Sequence, residues 1–211
     1  MDIREAIDIV VSGNDLPIYD AASAMRQIMS GEVTPAQLGS FLTALRLKGE
    51  TNEEIAGMAT VMREFSLRVN VDDMAVDSVG TGGDGLNTFN ISTAAAFVVA
   101  GAGVPVAKHG NRAVTSRSGS FDVLEALGVR IDLSVKAAAQ VLAEVGIATF
   151  FAPTAHPAMR HLAAVRRELG VRTVMNCLGP LLNPLGVRNQ LVGVYSEDLV
   201  LTLAHALRAL D

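Results

Sequence analysis

One cysteine, Cys177, is present in 211 residues, so the chain cannot build an intramolecular disulfide or a thiolate metal cluster. Tryptophan is absent and aromatics make up only 4%, which leaves Ala, Val, Leu and Ile to fill the core. Charge is sparse, at 18% of residues, and the formal net charge is −5. No basic surplus is available for general attraction to nucleic acid or to an anionic membrane, so neither is expected as a partner. Long apolar runs are missing too: the longest, residues 94–107, is broken by Gly101, Gly103 and Pro105. It falls short of the roughly 18 residues that indicate a membrane span. The first ten residues, MDIREAIDIV, carry acidic groups at helical spacing, unlike a secretory signal, and a cytoplasmic protein is expected. No GxSxG elbow, Walker A sequence or HExxH pair occurs. His156 and His161 are five apart and share no helical face, as two metal ligands would.

Hydrophobic residues make up 50% of the chain and mean hydropathy is +0.35, enough to build a core and too much for disorder. The first 70 residues read as helices. Thr34-Pro35-Ala36-Gln37 and Thr51-Asn52-Glu53-Glu54 are capping boxes, and Gly13 and Gly31 stand where helices close. A small helical domain is expected at 1–70. From 71 to 211 short apolar runs alternate with helical stretches. Strands are expected at 75–79, 104–107, 147–151, 173–176 and 190–195, with helices near 90–101, 120–127, 134–145 and 157–169. That rhythm implies an α/β domain with a mostly parallel sheet. The last stretch, Ser196 to Leu210, reads as a helix that ends like an interrupted repeat, so the α/β domain is expected to be truncated at its C-terminal end.

Ligands of such sheets bind beyond the carboxyl ends of the strands. Val79 to Thr93, VGTGGDGLNTFNIST, sits at one such end. Four glycines from Gly80 to Gly85 let backbone approach a ligand closely, and the helix start at Asn90, Ser92 and Thr93 presents amides suited to an anion. The GxGxxG match raises a dinucleotide fold, which needs an acid about 20 residues on. No Asp or Glu lies between Asp84 and Asp122. The readings left are a phosphate loop or a run of turn glycines. Asp84 is odd in a phosphate loop; it either caps loop amides or orients a hydrated Mg²⁺ that Ser92 also reaches.

Lys108 to Arg117, KHGNRAVTSR, gathers Lys108, Arg112 and Arg117 without an acidic neighbour in sequence, with hydroxyls at Thr115, Ser116, Ser118 and Ser120. It suits a multiply charged phosphate group, or is a solvated basic turn. Further on, Arg166 suits a carboxylate, and an exposed basic face accounts for Arg160 and Arg167. Gly179 to Pro184, GPLLNP, reads as a rigid wall of a pocket.

GTGGDGLNTFNIST, KHGNRAVTSRSGSFDVLEALG, FFAPTAHPAMR, VRRELGVRT and GPLLNP occur in this order, and together they resemble the anthranilate phosphoribosyltransferase family of tryptophan biosynthesis. The likeness runs from about residue 3 to the last, and family members run further. The resemblance implies a helical domain paired into a homodimer, an α/β domain, and Mg²⁺-dependent transfer of phosphoribose from 5-phosphoribosyl diphosphate to the amine of anthranilate. For the sugar diphosphate it implies Gly80, Gly83, Asp84, Thr88, Asn90, Ile91, Ser92 and Thr93. It adds Lys108, His109, Gly110, Asn111, Arg112, Ala113, Val114, Thr115, Ser116 and Ser120. Ser92 matches a Mg²⁺ ligand. Gly80, Asn111, Arg166 and His109 match anthranilate contacts. No general base is implied. The family's Asp-Glu metal pair lies beyond this chain's last residue. A pyrimidine nucleoside phosphorylase and a non-catalytic nucleic-acid-binding relative are the alternatives.

Overall fold

The structure is a computed structural model that describes residues 1–69, 74–82, 88–113 and 118–210. In chain order these form α1 (Ile3–Val11), α2 (Ile18–Met29), α3 (Pro35–Lys48), α4 (Asn52–Glu64), β1 (Val76–Gly80), α5 (Ile91–Gly101), β2 (Val106–Gly110), α6 (Ser120–Ala126) and α7 (Val135–Val145). They continue with β3 (Ile147–Phe151), α8 (Ala152–Ala155), α9 (Arg160–Leu169), α10 (Val174–Leu178), β4 (Asn189–Gly193) and α11 (Leu199–Leu210).

The two capping boxes form as the sequence requires. Gln37 N–H donates to Thr34 Oγ1 at 3.3 Å while the Thr34 N–H donates to Gln37 Oε1 at 3.0 Å. Glu54 N–H and Thr51 Oγ1 meet at 3.2 Å, with the Thr51 N–H on Glu54 Oε2 at 2.9 Å. α4 lies directly against α2 at Gly57, where a Cβ would run into the Ile18 carbonyl. Residues Met1–Phe65, Ala158–Leu181 and the described residues from Ser196 onward form one compact unit, which is helical.

Ser66–Pro157 and Leu182–Tyr195 form the second unit, built on a four-stranded, all-parallel sheet of order β3-β2-β1-β4. Helices make the crossovers between successive parallel strands, as such strands require. Val135, Ala138 and Leu142 of α7 cover Ala107, Ala148 and Phe150 of the sheet. The expected class, helical bundle plus α/β domain with a parallel sheet, is what the chain adopts.

Two local expectations are corrected. Residues 173–176 are not a strand but open α10: the Asn176 side chain accepts the Thr173 N–H at 3.1 Å, and the Asn176 N–H donates to the Thr173 carbonyl at 2.9 Å. A four-residue run is too short to carry a periodicity that tells the two apart. The second strand also runs on past 107. Pairing of Lys108 with Thr149 and of Gly110 with Phe151 extends it, so Lys108 lies inside β2 and does not follow it.

Candidate functional site

β1 and β4 stay locked to their ends. The Thr81 N–H donates to the Gly193 carbonyl at 2.9 Å, and the Tyr195 N–H donates to Thr81 Oγ1 at 3.0 Å. A Cβ on Gly80 would stand 3.3 Å from that same carbonyl, tighter than ordinary contact. Gly82, at φ +65°, turns the chain out of the sheet through the left-handed region that glycine adopts freely. Gly83 and Asp84 lie outside the described residues.

The chain returns at Thr88, exposed, and Asn90, half-buried, to start α5. Among the described residues no side chain caps this helix. Ile91 is exposed and Ser92 half-buried, while Thr93 is 3% exposed with its Oγ1 bonded to no described group. A buried hydroxyl left without a partner, one turn into an uncapped N-terminus, fits a place where a ligand supplies the missing acceptor.

Lys108 reaches this helix start from β2. Its Nζ donates to the Ser78 carbonyl at 2.7 Å and to Ser92 Oγ at 3.4 Å, and the residue is only 3% exposed. Desolvation lowers its pKa below the ordinary lysine value, and the nearby Asp77 carboxylate opposes that shift. Among the described residues this buried ammonium is bonded to neutral oxygens alone, which keeps attraction in reserve for an incoming anion.

Strand alternation puts Asp77 and His109 on the other face of the sheet. Asp77, 1% exposed, accepts the His109 N–H on Oδ1 at 3.3 Å and the Asn183 amide on Oδ2 at 2.9 Å. Burial pushes its carboxyl up to about 6, against the pull of Asn183 and Lys108. The His109 ring meets His156 at an Nε2–Nε2 distance of 3.2 Å, edge to face, with both residues buried. Burial lowers His156 to about 4, so this ring is neutral at pH 7.

The segment after β2 is closed at its base. Asp122 Oδ2 accepts the Ala113 N–H at 2.8 Å and the Gly119 N–H at 2.7 Å, which ties the two sides of the loop together. Gly110 must be bare, since a Cβ would lie 2.9 Å from the Phe121 ring. Asn111 is exposed and Ser120, half-buried, is the first residue of α6. Arg112 looks free of acids in sequence, yet it pairs with Glu125 at 2.8 Å and lies 5.1 Å over the Phe151 ring. An anionic ligand would have to compete for it. Val114, Thr115 and Ser116, with Arg117, lie outside the described residues.

Gly80, Ser92, Thr93, Lys108 and His109 are thus gathered on the second unit. Arg166 stands on α9 of the helical unit, half-buried, its guanidinium bonded to no described group. Desolvation alone lowers its pKa from the ordinary arginine value. Sequence reading passed over Asp77, and it placed Asn183 in a pocket wall without assigning it a partner. An acid in the middle of the apolar run Ala75 to Val79 was the available signal, because an unpaired charge is costly in a buried strand.

Among the described residues no three His, Cys, Asp or Glu side chains cluster as metal ligands. Ser92 offers one hard oxygen, which fits a Mg²⁺ that arrives with phosphate oxygens and waters in its shell. Among the described residues no helix is long and apolar enough to cross a membrane.

Residues 72–211 match the α/β domain of a glycosyl transferase family, and residues 4–66 match the helical bundle domain of a glycosyl transferase family. The chain is 59% identical over all 211 residues to an anthranilate phosphoribosyltransferase of Chloroflexus aurantiacus, covering 62% of that protein. To its counterpart in Anaeromyxobacter sp. (strain K) it is 58% identical, over 99% of this chain and 62% of the relative. The chain therefore spans about three fifths of the length of these curated relatives. The crystal structure of anthranilate phosphoribosyltransferase from Thermus thermophilus superposes with a TM-score of 0.91 at 47% identity, over 97% of this chain and 63% of that one. The Saccharomyces cerevisiae enzyme in complex with PRPP and Mg superposes at 0.90 and 33% identity, over 99% and 62%.

Proposed function

The chain belongs to the glycosyl transferase family, and on that premise we propose that it acts as an anthranilate phosphoribosyltransferase, or as the N-terminal larger part of one. In this reaction the bond from ribose C1 to the diphosphate breaks, with its electron pair leaving on the diphosphate. The lone pair of the anthranilate amine forms the new C1–N bond, and the amine proton passes to solvent.

The observation that carries the reading is Lys108: a buried ammonium held at the uncapped start of α5, with the orphaned Thr93 hydroxyl on the same first turn. These groups are in place before any ligand arrives, so negative charge building on the leaving diphosphate meets donors that need no reorganisation. Gly80, Gly83, Asp84, Thr88, Asn90 to Thr93, Lys108 to Ser116 and Ser120 take the sugar diphosphate. Ser92 would hold Mg²⁺, which when bound would screen the diphosphate oxygens and ease their departure. Arg166 takes the anthranilate carboxylate through its paired donors, and Gly80, His109 and Asn111 take the rest of the acceptor. Neutral His156 beside His109 adds no positive charge near a carbon that is itself becoming cationic.

Aniline-type amines attack a loosening electrophile without a strong base, so positioning supplies much of the rate and no general base is assigned. We further propose a cytoplasmic homodimer paired through the helical domain, taken as residues 1–70, with residues 71–211 binding the sugar diphosphate.

The test is calorimetric titration of 5-phosphoribosyl diphosphate with Mg²⁺, followed by anthranilate fluorescence during turnover. Saturable uptake and loss of anthranilate fluorescence are expected. Absence of uptake refutes the reading, and release of free base from a pyrimidine nucleoside plus phosphate transfers it to a phosphorylase.

A further inference from the structure

We propose that Asp77 is a positioning residue for the acceptor side of this reaction: one buried carboxylate fixes both His109 and the Asn183 loop, on the sheet face opposite Lys108. The inference rests on the anthranilate reading of the site.

The geometry is specific. β1 carries Asp77 on one face and Ser78 on the other, and β2 carries His109 and Lys108 in the same alternation. Lys108 and its partners Ser78 and Ser92 are bonded on the α5 side. The Asp77 side chain makes its hydrogen bonds on the opposite side. Its Oδ1 holds the His109 backbone at 3.3 Å, its Oδ2 holds Asn183 at 2.9 Å, and Gln190 of β4 adds a side-chain hydrogen bond. Asn183 cannot turn to adapt. Its Nδ2 also donates to the Ala107 carbonyl at 2.9 Å, and its Oδ1 accepts the Leu185 N–H at 3.0 Å. A donor on one side and an acceptor on the other fix which way the amide points.

A carboxylate is therefore the one group of this shape that satisfies both neighbours, because both are donors. In Asp77→Asn, nearly unchanged in volume, the new NH₂ must face either the His109 N–H or the Asn183 NH₂. One hydrogen bond is lost and two buried donors oppose each other. The disturbance reaches His109 and residues 183–185, while Lys108 keeps its bonds.

The experiment separates the two faces. Asp77→Asn and Asn183→Ala are compared with the wild type in steady-state turnover and in amide hydrogen exchange. Each is expected to raise the KM for anthranilate about tenfold and to leave that for 5-phosphoribosyl diphosphate within about twofold. Exchange at the His109 amide in Asp77→Asn, and at Leu185 in Asn183→Ala, is expected to quicken at least about tenfold while Val79 and Lys108 hold. Equal changes in both KM values, or in neither, overturn the proposal. Should the wild type turn over no anthranilate, the proposed reaction falls, and unaltered exchange at His109 and Leu185 would then remove the positioning role as well.

Discussion

His109 and His156 face each other at 3.2 Å between their Nε2 atoms, inside protein that leaves 3% of one and 1% of the other exposed. One nitrogen must donate and the other accept, so both rings cannot carry a proton on Nε2 without two N–H groups colliding. One ring therefore donates from Nε2 and the other accepts there, with His156 held neutral at pH 7 by burial. Asp77 is tied to the same pair through the His109 backbone, itself buried and reluctant to ionise.

These two titrating groups pull stability in opposite directions. The Asp77 carboxyl is raised from 3.8 to about 6, so its contribution is fully present below pH 3.8 and is lost as pH rises through about 6. His156 is lowered from 6.5 to about 4, so its contribution is present above pH 6.5 and is lost as pH falls through about 4. Shifts of this size correspond to about 2 to 3 kcal/mol each. Between pH 7 and pH 4 the two nearly cancel in the wild type. Relative to wild type, Asp77→Asn is expected to lose about 2 to 3 kcal/mol as pH falls across that window, and His156→Gln to gain a similar amount. Urea denaturation at stepped pH measures both. Parallel curves for all three proteins would show that neither group is perturbed.

Arg166 presents a desolvated guanidinium with no bonded partner among the described residues. Such a group gains most from a planar carboxylate, which takes two of its donors at once. Arg166→Ala is expected to raise the anthranilate requirement about 10- to 100-fold, the worth of a charge-assisted hydrogen bond, while the sugar diphosphate requirement stays within about threefold. Arg166→Lys recovers only part, because an ammonium lacks the fork. Steady-state titration of each substrate against a fixed excess of the other decides it, and equal effects on both substrates would remove the assigned role.

Much of this is legible in the chain itself. Capping boxes at Thr34 and Thr51 announce α3 and α4 because their signals are local. The alternation after residue 74 announces parallel strands because βαβ units repeat it. Thr173 to Asn176 misleads because so short a run gives no period, and its fate rests on a side chain reaching back to an amide. The ion pair of Arg112 with Glu125 joins residues thirteen apart across a loop, so an acid-free stretch of sequence is not acid-free in space. Asp77 and Asn183 stand 106 positions apart and meet only once the sheet forms. Buried polar links of that kind are decided by register, which local pattern does not carry.

Lys108 and Arg112 are both cations on the segment after α5, yet they are held differently. Lys108 is bonded to neutral oxygens and buried, whereas Arg112 is exposed and already has Glu125. Lys108→Ala is therefore expected to weaken 5-phosphoribosyl diphosphate by about 10- to 100-fold, in line with loss of a charged hydrogen bond from a desolvated site. Arg112→Ala is expected to cost about threefold at most, because exposed pairs are worth little. Glu125→Ala, which releases Arg112, is expected to tighten binding slightly or not at all. Calorimetry on the three variants at fixed ionic strength tests the ranking, and a larger loss at Arg112 than at Lys108 would reverse it.

The stability of the helical unit hangs on a buried carboxylate in a different way. Glu54 is fully buried, and it accepts the Leu16 N–H at 3.0 Å, the Thr51 N–H at 2.9 Å and the Lys48 ammonium at 3.1 Å. Lys48 also binds Asp15 at 2.6 Å, so one glutamate ties the loop before α2, the end of α3 and the start of α4 together. Glu54→Ala strips the acceptor from two amides and takes one of two carboxylates from an ammonium whose side chain is 6% exposed. Two amides left without an acceptor cost about 2 to 5 kcal/mol together, while Lys48 keeps Asp15 and the Gly49 carbonyl. Glu54→Gln keeps one acceptor but turns a donor toward either Lys48 or an amide, and about half that loss is expected. Lys48→Met, which removes the charge and keeps the aliphatic stem, is expected to cost less than Glu54→Ala, because Glu54 keeps its two amide donors and Asp15, exposed, rehydrates. The midpoint of urea unfolding at pH 7 ranks the three. Glu54→Ala within about 1 kcal/mol of wild type would mean that water enters freely and that the ion pair holds nothing in place.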